Sequence, residues 1–232
     1  SEFGKYFSKI KPHILIILGD RFEIYSSVIA ATIHNIPIAH FHGGEITEGA
    51  IDEGFRHSIS KFSHLHFVSH ENYKKNLIQL GENKKNIYNV GSLSLNNILN
   101  LKLQKKEKLK KILNFNFMKK NVLVTYHPVT LDPGKTYKNF KKILKTLKKF
   151  KEIGIIFTYP NIDYENTDIS KLIESYVKNN PNSIVVKSLG YTNYLSILSH
   201  VDIVIGNSSS GVIEAPFLKT YTLNIGDRQK GR

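Results

Sequence analysis

The sequence predicts an α/β protein made of two consecutive parallel-sheet domains, and three observations carry that expectation. Short continuous apolar runs, such as His13 to Leu18 and Val122 to Tyr126, lack polar alternation, the mark of strands buried on both faces of a parallel sheet. Segments with helical spacing separate these runs in regular alternation, as successive βα units require. One stretch, Gly91 to Lys120, is rich in Leu, Lys and Asn and shows no strand signal. It marks a boundary and divides the chain into domains over residues 1–100 and 101–232.

In the first domain, Phe3 to Ile10 reads as the end of a helix, stopped before Pro12. His13 to Leu18 is the first strand, followed by Gly19-Asp20-Arg21. Ile24 to His34 is a helix of small and apolar residues, and Pro37 to Phe41 is the next strand, closed by His42-Gly43-Gly44-Glu45. Ile51 to Phe62 is amphipathic. Its Ile51, Phe55, Ile59 and Phe62 share one face, and Glu53, Arg56, His57 and Ser60 the other. His64 to Val68 is a strand, Glu71 to Leu80 a helix ended by Gly81, and Ile87 to Val90 a strand.

The second domain repeats the scheme. Strands are expected over Val122 to Tyr126, Gly154 to Tyr159, Ile184 to Val186, Asp202 to Ile205 and Thr220 to Asn224. Helices are expected over Tyr137 to Phe150, Ile169 to Lys178, Asn193 to Leu198 and Val212 to Phe217. Two such units in succession imply two sheets with a cleft between them.

A hydrophobic share of 41% is enough for a real core. The absence of cysteine excludes disulfides and thiolate metal sites and fits a cytoplasmic protein. No run is long enough to span a bilayer and no signal-peptide pattern opens the chain, so no membrane association is expected. Ser1 is not an initiator methionine, which suggests a start inside a longer protein or after tag removal. The net charge of +14 invites a nucleic-acid reading, but its distribution opposes one. Lys102 to Lys120 carries eight lysines and Lys138 to Lys151 seven. In the second run the lysines alternate with Phe140, Ile143, Leu144, Leu147 and Phe150 at helical spacing, which describes a solvated outer face. No aromatics interleave with the lysines on that face as a stacking platform requires. The positive field suits an anionic small substrate better.

Ligands bind open parallel sheets at the carboxyl ends of the strands, and the polar clusters collect there. Asp20 and Arg21 follow the first strand, His42 and Glu45 the second, His127 the fifth, and Asn161 and Asp163 the sixth. Gly206-Asn207-Ser208-Ser209-Ser210-Gly211 follows the run Val201 to Ile205, and Arg228 follows the last strand. The serine loop has two readings: a helix cap, for which Ser is a preferred residue, or an anion site of backbone N–H and hydroxyl donors with Glu214 for a sugar hydroxyl. Glu53 and Arg56 read as a surface pair, and His42 and His127 as loop histidines, unless the site claims them. Carboxylates gathered at adjacent strand ends repel, which raises a pKa and yields an acid or base. No metal site is expected, since no His-Glu-x-x-His spacing occurs.

Taken together, His42-Gly43-Gly44-Glu45, Ile51-Asp52-Glu53-Gly54-Phe55-Arg56-His57, Tyr126-His127-Pro128-Val129-Thr130, Tyr159-Pro160-Asn161, Gly206 to Gly211 and Asn224-Ile225-Gly226-Asp227-Arg228-Gln229 resemble the hydrolysing UDP-N-acetylglucosamine 2-epimerases of sialic-acid synthesis. The resemblance covers nearly the whole chain in order. It implies two Rossmann-like domains facing a cleft, as in GT-B glycosyltransferases, and a UDP-sugar substrate without cofactor or metal. The implied reaction eliminates UDP across C1 and C2 to give 2-acetamidoglucal, then adds water to leave N-acetylmannosamine. By motif position Asp20, Glu45 and Glu53 are the acid/base carboxylates and His127 joins them at the diphosphate. Arg21, Arg56, Asn96, Asn161, Ser208, Ser209, Ser210, Gly211, Glu214 and Arg228 are the substrate-binding set. A homo-oligomer, dimer or tetramer, is expected, with no nucleic-acid partner.

Three departures qualify the resemblance. The family's opening strand and its Gly-Thr-Arg loop are absent, the chain stops at Gly231-Arg232 before the family's closing helices, and Asn96 stands where some members carry an acid. The sequence therefore reads as truncated at both ends, with low or no activity expected of this stretch alone. The close rival within the class is a hydrolysing 2-epimerase of a UDP-2,4-diacetamido-2,4,6-trideoxy sugar, as in legionaminic acid pathways. A retaining GT-B glycosyltransferase has no use for the three carboxylates, and a non-catalytic nucleotide-sugar-binding protein would dispense with Asp20 and Glu45.

Overall fold

Two parallel sheets organise the chain, and the computed structural model describes residues 2–48, 51–128, 135–160 and 166–231. One compact unit takes in the chain through Asn96 together with Lys230 and Gly231; the other runs Asn97–Gln229. Lys230 belongs to the first unit through its carbonyl, which accepts from Glu48 N at 3.2 Å, and through an ion pair with Glu48 at 2.8 Å.

The first sheet has the order β1 (Leu15–Leu18), β2 (Ile38–Phe41), β3 (Leu65–Val68), β4 (Ile87–Asn89), all parallel. Helices α1 (Glu2–Ile10), α2 (Phe22–Ile33), α3 (Asp52–Phe62), α4 (Glu71–Gln79) and α5 (Leu93–Leu99) connect and flank it. In α2 the buried residues Ser27, Val28, Ala30 and Ala31 are small, which fits a helix lying close to its neighbours. Phe7, Ile17, Val28, Ile36, Ile38 and Ile59 form the core, and Val68, Leu77 and Ile87 a smaller cluster beneath α4. Each such side chain contributes about 1.5–3 kcal/mol on burial. The expectation of strands covered on both faces holds for β2 but not for β1. There Ile17 is buried while Ile16 and Leu18, on the opposite face of this edge strand, are 64% and 60% exposed.

The second sheet has the order β7 (Ser183–Val186), β6 (Ile153–Thr158), β5 (Lys120–Thr125), β8 (Ile203–Gly206), β9 (Tyr221–Asn224), again all parallel. Its helices are α6 (Lys106–Leu113), α7 (Lys135–Leu147), α8 (Asn166–Lys178), α9 (Gly190–His200) and α10 (Glu214–Phe217). In α7 Phe140, Leu144 and Leu147 are buried while Lys138, Lys141, Lys142 and Lys145 are exposed, so these lysines cover a solvated face. Phe150 falls beyond the last turn and is exposed. The stretch after Gly91 folds as α5 and α6, a pairing its lysine content obscures; α6 buries Leu109 completely. Of the helix expected over Val212 to Phe217, α10 forms over Glu214–Phe217, preceded by a 3-10 turn, Ser209–Gly211. Strand order reverses at β5 and β8, which makes their carboxyl ends the switch point of this sheet.

Candidate active site

In the first unit the polar residues at the ends of β1 and β2 converge on one buried cation. Leu18 pairs with Phe41, and Gly19 N donates to Phe41 O at 3.1 Å, so Asp20 and His42 leave the sheet side by side. Arg56 on α3 is 1% exposed. Its Nε donates to Asp20 Oδ2 at 3.0 Å, and its Nη2 to the same oxygen and to Thr47 Oγ1 at 3.1 Å. Nη1 donates to Glu45 O at 2.9 Å and to Glu53 Oε2 at 2.8 Å. Glu53 also accepts from Thr47 N at 2.6 Å through Oε2, and its Oε1 meets His57 Nε2 at 2.9 Å. All five guanidinium N–H groups are thereby committed, and both oxygens of Glu53 are occupied. Asp20 differs, since among the described residues its side-chain hydrogen bonds fall on Oδ2 alone.

Glu45 stands on the turn His42-Gly43-Gly44. Gly44 has φ 75°, and a side chain there would run into the Tyr73 carbonyl oxygen, so only glycine lets the turn lie against α4. Asn76 Nδ2 donates to Gly44 O at 2.8 Å and fixes it. The Glu45 carboxylate is buried, and its Oε1 receives His42 Nδ1 at 2.7 Å and Ser69 Oγ at 3.1 Å. Behind the turn His40 is wholly buried. Its Nε2 lies 2.8 Å from Gly19 O, a bond only an Nε2–H can make, and its Nδ1 then accepts from Ser60 Oγ at 3.1 Å. Burial pulls its pKa down to about 4, so the ring is neutral at physiological pH and ties the Asp20 loop to α3.

In the second unit the switch point is built around Asn207, which is fully buried. Its Oδ1 accepts from His127 N at 2.7 Å and its Nδ2 donates to His127 O at 2.9 Å, so one side chain copies a strand neighbour beyond the end of β5. Its carbonyl accepts from Arg228 Nη1 at 3.2 Å and Gln229 Nε2 at 2.9 Å. Gly206 has φ 149°, and a Cβ there would overlap the Thr125 carbonyl; no other residue fits. Ser208 caps the 3-10 turn by accepting from Ser210 N at 3.4 Å. Tyr194 and Ser210 share a short hydroxyl–hydroxyl hydrogen bond, and Thr222 Oγ1 donates to Gly211 O at 2.8 Å. Burial, and then the Arg228 charge, press the His127 pKa down to about 3, so His127 is a neutral imidazole.

Thr125, His127, Tyr159, Lys187, Tyr191, Tyr194, Ser208 and Ser210 border a cavity of about 440 Å³ at the carboxyl ends of β5, β6 and β7. That volume lies in the range of small-molecule sites. Glu214 Oε2 is buried without a hydrogen-bond partner among the described residues. A buried carboxylate oxygen left so costs free energy that a ligand hydroxyl would recover.

The expected residues thus divide by unit. Asp20, Glu45, Glu53 and Arg56 share one network in the first, and His127, Ser208, Ser210 and Arg228 surround the switch point of the second. Arg21 stands at the N-cap position of α2 without a side-chain capping bond and pairs with Glu23 at the surface, at 3.2 Å. Asn96 is exposed on α5, and Asn161 lies outside the described residues. Sequence reasoning passed over His40, Thr47, Ser69, Asn207 and Tyr194. Their signal was position, since His40 and Asn207 adjoin strand ends already singled out. Among the described residues no group of acidic or histidine side chains has the arrangement of a metal site, and no helix is long and apolar enough to cross a membrane.

A parallel sheet whose strand ends carry buried charges, followed by a doubly wound sheet with a hydroxyl-lined cavity, makes an α/β protein of two Rossmann-like domains. The UDP-N-acetylglucosamine 2-epimerase family model matches residues 1–232, and the chain belongs to that family. It is 46% identical over its whole length to a hydrolysing GDP/UDP-N,N'-diacetylbacillosamine 2-epimerase of Campylobacter jejuni, of which it covers 61%. It is 40% identical over its whole length to the polysialic acid biosynthesis protein P7 of Escherichia coli, of which it covers 59%. The chain therefore spans about 60% of the length of these relatives. Its fold matches the crystal structure of the Methanocaldococcus jannaschii UDP-GlcNAc 2-epimerase in complex with UDP-GlcNAc and UDP, with TM-score 0.83 at 21% identity, over 98% of this chain and 64% of that one.

Proposed function

We propose that the protein is a hydrolysing nucleotide-sugar 2-epimerase and that its substrate is a UDP-2,4-diacetamido-2,4,6-trideoxyhexose. The observation that carries the reaction class is buried Arg56 binding the carboxylates of Asp20 and Glu53 and the carbonyl of Glu45 at the carboxyl ends of β1 and β2. A 2-epimerisation that releases the nucleotide needs a base for the C2 proton, an acid for its return, and donors for the departing diphosphate. Removal of the C2 proton turns the C2–H electron pair into a C1=C2 double bond as the C1–O bond breaks and UDP leaves. Water then adds its oxygen to C1 while a proton returns to C2 on the opposite face.

In this reading the second unit holds the nucleotide. The hydroxyls of Ser208, Ser210 and Tyr194, the neutral His127 and the guanidinium of Arg228 supply donors, and unpartnered Glu214 Oε2 accepts from a ribose hydroxyl. The sugar assignment rests on the 46% identity with the diacetylbacillosamine enzyme. UDP-N-acetylglucosamine is the second reading, favoured by the description of the matching family model.

The test is to incubate the full-length protein in deuterated water with the UDP-diacetamido sugar, its GDP counterpart and UDP-N-acetylglucosamine, and to follow products by NMR. Free UDP and a 2-epimerised sugar carrying deuterium at C2 are expected, with the largest kcat/KM for the diacetamido sugar. An unlabelled C2 sinks the elimination, and a larger kcat/KM for UDP-N-acetylglucosamine moves the substrate to the second reading. Glu45→Gln and Glu53→Gln are each expected to lower turnover with UDP affinity largely kept.

A further inference from the structure

We infer that His42, with Glu45 behind it, is the base that removes the C2 proton; the inference rests on the 2-epimerase reading above. Of the acidic side chains in the first unit, Glu45 is the least able to reach a substrate. Its side chain is 7% exposed, and the Oε1 oxygen already holds His42 Nδ1 at 2.7 Å and Ser69 Oγ at 3.1 Å. An ionised carboxylate only accepts, so Nδ1 carries the imidazole proton and the lone pair sits on Nε2. That is the resting state of a base.

The placement agrees. The His42 side chain is 20% exposed, and its one side-chain hydrogen bond among the described residues is to Glu45. Its backbone is held at φ 65°, uncommon for a residue with a side chain, by its N–H on Phe67 O at 2.9 Å and by the Gly43-Gly44 turn. A backbone conformation that costs free energy directs the ring away from the path a continued strand would give it. The end of β2 that bears His42 adjoins the end of β1 that bears Asp20. Both oxygens of Glu53, by contrast, are occupied by Arg56, Thr47 N and His57.

In the step assigned, His42 Nε2 takes the proton from C2, the C2–H electron pair forms the C1=C2 double bond, and UDP departs with the electrons of its bond to C1. The imidazolium so formed is matched by the Glu45 carboxylate. Because the proton returns on the opposite face, a second group delivers it. Glu45 acts through His42 and is a positioning residue.

The experiment compares wild type, His42→Ala and Glu45→Ala in the full-length protein for UDP release, C2 deuteration and UDP binding. It adds imidazole to the medium and tests hydration of the 2,4-diacetamido-2,4,6-trideoxy glycal that elimination from the proposed substrate gives, a step that bypasses C2 proton removal. His42→Ala is expected to lose ~10²–10⁴-fold in kcat, to keep UDP affinity within about twofold, to hydrate the glycal at the wild-type rate, and to regain about tenfold or more with imidazole. Nitrogen NMR of labelled histidine is expected to show His42 as the Nδ1–H tautomer in wild type and to lose that preference in Glu45→Ala. His42→Ala turnover within about threefold of wild type overturns the assignment. So does an Nε2–H tautomer in wild type, or a loss that extends equally to glycal hydration. A wild type that turns over none of the nucleotide sugars sinks the epimerase reading itself and this assignment with it.

Discussion

Removing the Arg56 guanidinium is the sharpest test of how the first unit is held together. Arg56→Met keeps the aliphatic bulk and deletes a cation that is 1% exposed and makes five N–H contacts. Breaking a buried ion pair by deleting one partner costs about 3–5 kcal/mol, because the other charge is stranded. Here two carboxylates lose their partner, but the Asp20 and Glu53 side chains are 22% and 26% exposed and water recovers part of the loss. The low end, about 3 kcal/mol, is therefore expected, a large fraction of the 5–15 kcal/mol that holds a domain together. Hydrogen-exchange mass spectrometry reads the units separately, so the expected result is roughly hundredfold faster exchange in β2, α3 and β3 with β5 and β6 unchanged. The triple change Asp20→Asn, Glu53→Gln, Arg56→Met removes the stranded charges and is expected to recover at least half of the loss. A single variant that shifts β2 protection by less than about threefold, or loosens both units alike, refutes the reasoning.

Other outcomes follow from the same contacts. Above the unfolded histidine value of about 6.5 His40 and His127 cost nothing, but below it the unfolded chain binds protons that folded His40 refuses until about 4 and His127 until about 3. Stability should fall as pH drops from 6.5 toward 4 by up to about 1.4 kcal/mol per pH unit per histidine, and His40→Gln should flatten this limb in urea melts; an unchanged limb counts against a neutral buried His40. Gly206→Ala drives a Cβ into the Thr125 carbonyl and should leave little soluble protein, whereas wild-type solubility and melting would show that β5 and β8 can part without cost. Ser208→Ala should lower stability by no more than about 1 kcal/mol, since its cap bond is long at 3.4 Å, while UDP binding by calorimetry falls about tenfold; unchanged binding would leave the loop a cap alone. Glu214→Gln should weaken UDP binding without lowering the melting temperature, and a clear drop in melting temperature would show that the unpartnered oxygen is already satisfied.

Much of the fold was legible because parallel sheets write their burial into the sequence. The runs expected to end at Phe41, Val68, Tyr126 and Tyr159 are strands, the last two ending one residue earlier, and the polar groups gather at their carboxyl ends. The misreadings have local causes. Ile16 and Leu18 look like core because an edge strand and a central strand share one composition. Val212 to Phe217 has helical apolar spacing, and α10 takes up only Glu214–Phe217 of it. Arg56 read as the partner of Glu53, three residues away, since its bond to Asp20 spans 36 residues and no local pattern encodes it. His40 was hidden inside an apolar strand, where only the fold brings Gly19 O and Ser60 to its two nitrogens.

The network also ranks the carboxylates chemically, which the motif could not. A carboxylate whose two oxygens are already engaged by a guanidinium, a backbone N–H and an imidazole is committed to the protein itself rather than to a ligand. Glu53 fits that description, so its contribution is to hold Arg56, and through it Asp20, in place. Asp20 keeps Oδ1 clear of Arg56, and His42 keeps Nε2 clear of Glu45, and these two atoms stand at the ends of adjacent strands. Inversion at C2 needs two proton-handling groups on opposite faces of the sugar, and the first unit offers two atoms equipped for it. On that argument Asp20→Asn should impair glycal hydration, whereas His42→Ala should spare it; equal behaviour of the two variants would collapse the distinction.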